Sequence, residues 1–180
     1  IGLAYARSVE YPAFEDGCTL TARQKLTYCL GAIAEMDAIL TGFLRDICKA
    51  VGVEADTARF PSGRCLEELR PRIKRPVYDW VPECRAAVTR IGAAVKARND
   101  ALHSEWMRWD GRFTSNELIR ARQEARPLEY FERVHALLDV AVDNAVGVLS
   151  LARATNSLRD GKPPDPEFVA INRANAARTN

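Results

Sequence analysis

Residues 21–50 read TARQKLTYCLGAIAEMDAILTGFLRDICKA, and this stretch decides the fold class. Apolar side chains recur along it every three or four positions, at Leu26, Cys29, Leu30, Ile33, Met36, Leu40, Phe43, Leu44 and Ile47. That is the period of an α-helix with one face turned to a core; a half-buried strand would alternate every second residue. Thr21 with Gln24 three positions later fits a capping box, in which each side chain bonds a backbone N–H that the helix leaves free. Gly52 suits the other end.

The same period returns further along the chain. Pro61-Ser62-Gly63 reads as a turn, and Cys65 to Lys74 as a shorter helix limited by Pro71 and Pro76. Asp79 suits an N-cap and Pro82 a first helical turn. The helix they open carries Val88, Ile91, Val95, Leu102 and Trp106, and Asp110-Gly111 ends it near Trp109. Residues 112–126 have no clear period; Leu118-Ile119-Arg120-Ala121-Arg122 fits a short strand or a helix equally well. A last long helix is expected from about Pro127 to Leu158, with Phe131, Val134, Leu138, Val142, Ala145, Leu149 and Ala152 as its stripe. Gly161, Pro163, Pro164 and Pro166 follow it. The expected fold is therefore all-α: an antiparallel bundle of four to five helices, with a poorly ordered or short-strand excursion before the last one. Residues 1–160 form one domain, and 161–180 a polar tail.

Composition narrows the function. The chain has 180 residues, 47% hydrophobic and 28% charged, as expected of a globular domain. Its 26 basic and 24 acidic residues leave a formal charge of +2, so any contact with nucleic acid must come from local basic clusters. The five cysteines are far apart, form no CxxC pair and have no histidine at metal-ligand spacing. They read as reduced and mostly buried in a cytoplasmic protein, with no metal and no cofactor. Ile1 to Glu10 lacks the apolar run of a signal peptide, and no uninterrupted apolar run approaches the roughly 20 residues of a membrane span, so no membrane partner is expected.

One segment breaks the apolar pattern. Arg98-Asn99-Asp100-Ala101-Leu102-His103 places polar groups on a helix that should otherwise be core. At about 100° per residue, Val88, Ile91, Val95, Leu102 and Trp106 share an arc of roughly 60°, and Asn99 counts with that stripe. Arg98 and His103 flank that arc, roughly 140° apart. A polar group on a core stripe costs free energy unless it is satisfied, so the run needs a reason. Histidine can move a proton near neutral pH. Arginine offers a permanently charged fork for a phosphate and for the charge that develops on it. Asparagine can orient either group. Together they suit phosphodiester cleavage, with a two-fold dimer bringing two copies of the set into one cleft. The structural alternative is a buried polar network, or an Arg–His pair at a dimer seam.

Arg98-Asn99-x-x-x-His103, late in an amphipathic helix, resembles the RxxxxH signature of the HEPN (higher eukaryotes and prokaryotes nucleotide-binding) superfamily. Ala101-Leu102-His103-Ser104 and the nearby Trp106 are similar to a common variant of that motif. The resemblance is sharp over Lys96 to Trp106 and architectural from Thr21 to Leu158. It implies a dimeric helical bundle and, in active members, a metal-independent endoribonuclease, often a toxin held by an antitoxin or an effector of antiviral defence. By that resemblance Arg98 polarises the scissile phosphate, His103 assists proton transfer and Asn99 orients the site. Some relatives are non-catalytic and bind a nucleotide or a protein, and that is the alternative function.

Other polar residues take lesser roles. Lys96, seven residues before His103, is the first choice for an RNA phosphate, joined by Arg108 and Arg112. The runs Arg64, Arg70, Arg72, Lys74, Arg75 and Arg108, Arg112, Arg120, Arg122, Arg126 fit a backbone-binding rim or a solvated surface. Glu35 and Asp37 fit an orienting role toward Arg98 or His103, or a salt bridge within the bundle. His135 reads as a histidine at the edge of the core.

Overall fold

The computed structural model describes residues 9–12, 19–73, 82–102 and 123–161. Of these, 83% are helical and none lies in a strand, so the fold class is all-α. The helices are α1 (Ala22–Ala50), α2 (Ser62–Ile73), α3 (Pro82–Leu102) and α4 (Leu128–Arg159), with a 3-10 turn at Thr57–Arg59. The possible strand at Leu118–Arg122, the N-cap at Asp79 and the tail beyond Gly161 lie outside the described residues.

Local signals explain the ends of α1 and α4. The Thr21 side chain accepts from the Gln24 N–H, and Gln24 accepts from the Thr21 N–H at 2.8 Å, so both halves of the capping box form. Gly52 follows α1 and Gly161 follows α4, each with a positive φ that a side chain would make costly. α2 departs from expectation. It begins at Ser62, not Cys65, because the Pro61 carbonyl accepts from the Cys65 N–H and closes a first turn through Ser62 and Gly63. Pro61 supplies that carbonyl and loses nothing by lacking an N–H. Pro71 lies inside α2 near its end and does not stop it.

α1 and α4 form the main packing interface, and α3 covers α4. Every apolar position expected on α1 is in the core or packs against it, with Ile33, Leu40, Leu44 and Ile47 fully buried. On α4, Phe131, Val134, Leu138, Ala145, Leu149 and Ala152 are buried and Val142 is half-buried. Contacts at the helix ends fix the directions. Arg23 at the start of α1 pairs with Glu124 just before α4, and Asn156 late in α4 donates to the Ala50 carbonyl at 2.7 Å. The first and last helices therefore run parallel, not antiparallel as in an even-numbered up-and-down bundle. α2 is short, so among the described residues three long helices run up, down and up. α3 is the reversed one: Gln123 and Arg126, just before α4, donate to the Ala101 and Asp100 carbonyls at its end.

By length and composition α1 and α4 would each suffice to cross a membrane, which a count of uninterrupted apolar residues does not register. Four cysteines, Cys29, Cys48, Cys65 and Cys84, are free and buried. Burial pushes the Cys29 thiol up to about 11. Cys48 and Cys65 share a hydrogen bond that raises the Cys48 thiol and lowers that of Cys65.

Adjacent leucines on α4 test this burial pattern. Leu138 is fully buried, whereas Leu137 is 48% exposed. Leu138→Ala is expected to cost about 2–5 kcal/mol by urea denaturation, and Leu137→Ala less than about 0.5 kcal/mol.

Candidate functional site

The buried face of α3 is set by its small residues. Cys84, Ala87, Val88, Ile91, Ala94, Val95 and Ala101 are all buried. With the alanines counted, the centre of the arc moves by about 40° and falls within about 20° of Arg98. Asn99 is thereby displaced from the stripe. The structure exposes Asn99 and buries Arg98, which is 9% exposed, reversing their expected places. The large apolar residues alone misplace the centre, because alanine buries little area yet marks where another helix comes closest.

Two other helices meet Arg98. Its Nη2 lies 2.6 Å from Asp37 Oδ1 of α1 and donates to Ser62 Oγ of α2 at 2.7 Å. Its Nη1 donates to Asn99 Oδ1, also at 2.7 Å. A polar chain thus runs from Asp37 through a buried guanidinium to an exposed amide. Asp37 takes the role of ion-pair partner within the helical core, whereas Glu35 is exposed. Ser62, expected in a turn, is buried at the start of α2 with its hydroxyl on Arg98. Nothing in its local sequence marks it, since only the approach of α2 to α3 gives it a role.

The network is not closed among the described residues. Among the described residues, Arg98 Nε and Asp37 Oδ1 are buried without a hydrogen-bond partner, so the Asp37 contact is one of charge, not an aligned bond. Buried polar atoms are usually satisfied, and a half-satisfied network costs more than an apolar one. His135 is buried on α4, as expected of a histidine near the core, and its Nδ1 is also without a partner among the described residues.

Lys96 is exposed two residues before Arg98 and next to the Asn99 face. His103, Trp106, Arg108 and Arg112 lie outside the described residues, as do Lys74, Arg75, Arg120 and Arg122. The basic run of α2 divides. Arg72 is bound to Glu68 at 2.8 Å and Arg64 approaches the same carboxylate at 3.7 Å, while Arg70 pairs with no carboxylate among the described residues. Arg126 donates to the Asp100 carbonyl of α3 at 3.1 Å and lies over the Tyr130 ring. Among the described residues no group of three or more His, Cys, Asp or Glu gathers at metal-binding distance.

In comparisons with known proteins, no family model, no curated protein and no solved structure matches this chain.

The ion pair can be tested without reference to activity. Asp37→Ala leaves a buried guanidinium without its counter-charge and is expected to cost about 3 kcal/mol, the low end for such a loss because Asp37 keeps a fifth of its surface in water. Asp37→Leu combined with Arg98→Met is expected to recover most of that loss in a double-mutant cycle read by urea denaturation.

Proposed function

We propose that this chain is a metal-independent endoribonuclease of the HEPN type, with Arg98 at its centre. The observation that carries the reading is the unclosed network around Arg98. A permanently charged fork sits at the middle of a core stripe, is gripped on Nη2 by two helices, and reaches the exposed Asn99 through Nη1. A guanidinium held in this way is preorganised: it need not reorganise as charge builds on a phosphate. Arg98 is the residue to which the Arg-Asn-x-x-x-His resemblance gives the scissile phosphate.

In this reading the 2′-hydroxyl of RNA gives up its proton and its oxygen bonds to the adjacent phosphorus, the P–O5′ bond breaks and O5′ leaves as a 5′-hydroxyl on taking up a proton, and a 2′,3′-cyclic phosphate remains. Arg98 stabilises the charge on the non-bridging oxygens, Asn99 holds Arg98 and the substrate in register, and His103 serves proton transfer. Asp37 and Ser62 are positioning residues that act through Arg98. A homodimer places two such sets across one cleft. A toxin or antiviral-defence effector, acting in the cytoplasm and held by a regulatory partner, is the role this activity fits.

A second reading has its own support. Arg98 is almost wholly buried and already engages three side chains, which is what a non-catalytic module binding a nucleotide or a protein partner would need from a structural network.

Cleavage of a labelled single-stranded RNA separates the two. On the first reading the wild-type chain cuts RNA in excess EDTA, and Arg98→Lys and His103→Ala each lower the rate by at least about 100-fold with an unchanged helical circular-dichroism signal. Cleavage that is absent in the wild type decides for the second, and cleavage equal in all three proteins removes Arg98 and His103 as its source and overturns the first.

A further inference from the structure

Among the described glycines, Gly92 of α3 is alone in having a neighbour where a side chain would begin. An added Cβ there would lie 3.3 Å from Arg70 Nη2, whereas at the others it would meet nothing within 4 Å. The Arg70 guanidinium of α2 therefore rests against the surface of α3 in a space that glycine leaves open. Arg70 is exposed and, among the described residues, bonds to no carboxylate, although Glu67 precedes it by three residues on the same helix. Arg64 and Arg72, by contrast, both turn to Glu68. Gly92, Lys96 and Asn99 are spaced by four and then three residues, which puts them on one face of α3. Lys96 is exposed and likewise unpaired among the described residues. From Gly92 to Asn99 this face covers about 10 Å.

We infer that Arg70, seated over Gly92, and Lys96 one turn further along form a two-cation rail that carries the backbone of single-stranded RNA to Asn99, the exposed end of the network on Arg98. This rests on the reading of Arg98 as the centre of a ribonuclease. The rail is assembled from two helices, so the basic run on α2 and the lysine on α3 act as one surface. Unpaired, exposed cations in line bind phosphates by displacing counterions, an interaction that does not depend on base identity and weakens with salt. Gly92 is the positional requirement: a larger residue there displaces the guanidinium without changing the charge.

The test measures binding of a fluorescein-labelled 2′-O-methyl RNA of mixed sequence, which lacks the attacking hydroxyl and stays intact, by anisotropy across a range of salt. Cleavage of the unmodified RNA is measured in parallel. Arg70→Ala and Lys96→Ala are each expected to weaken binding roughly 3- to 10-fold and to reduce the salt slope by about 0.7. Gly92→Leu, whose fold is checked by circular dichroism, is expected to match Arg70→Ala. If the wild type binds and cleaves RNA but Arg70→Ala has its affinity and slope, the rail is wrong and the ribonuclease reading stands. If Arg70→Ala weakens binding and Gly92→Leu does not, the seat over Gly92 is wrong. If the wild type neither binds nor cleaves, the ribonuclease reading falls and the rail with it.

Discussion

An arginine side chain keeps its positive charge at any ordinary pH, so a helix that buries one obliges its neighbours to answer it. α3 places Arg98 near the centre of its core stripe. α1 answers with Asp37 and α2 with Ser62, and the guanidinium ties three helices together at one level. The small residues beside it, Ala94 and Ala101, leave room for that approach. The start of α2 is part of the same arrangement: were it to begin at Cys65, Ser62 would not be presented from a helical turn.

Such a network is a poor device for stability. Desolvating a guanidinium and a carboxylate offsets most of their attraction, and apolar side chains of similar volume often do as well. Here the balance is less favourable still, because Arg98 Nε and Asp37 Oδ1 lack bonds among the described residues. What the arrangement does provide is a charged fork at a fixed place, with Nη1 turned to an exposed amide.

The long helices supply the frame that keeps this place fixed. α1 and α4 run side by side, tied near their starts by Arg23 and Glu124 and near their ends by Asn156 and the Ala50 carbonyl. α3 lies against α4 in the opposite direction. Beyond Arg98 and Asn99, its Asp100 and Ala101 carbonyls accept from Arg126 and Gln123. Lys96 and Asn99 are exposed on the face of α3 where Arg70 meets Gly92.

The sequence by itself determined the all-α class, the caps of α1, the glycine ends of α1 and α4, and the apolar faces that Leu40 and Leu138 represent. These depend on interactions within a few residues along the chain, and a helical period records them directly. It also marked Arg98 and Asn99 as out of place on a core helix. Only the tertiary structure decided which of the two is buried, because the centre of the stripe is set by alanines whose meaning appears only when another helix packs on them. The same holds for the parallel course of α1 and α4, for Ser62 as a partner of Arg98, and for Arg70 over Gly92. Each is a contact between segments distant in sequence, and neither spacing nor residue type along one helix encodes where a second helix will lie.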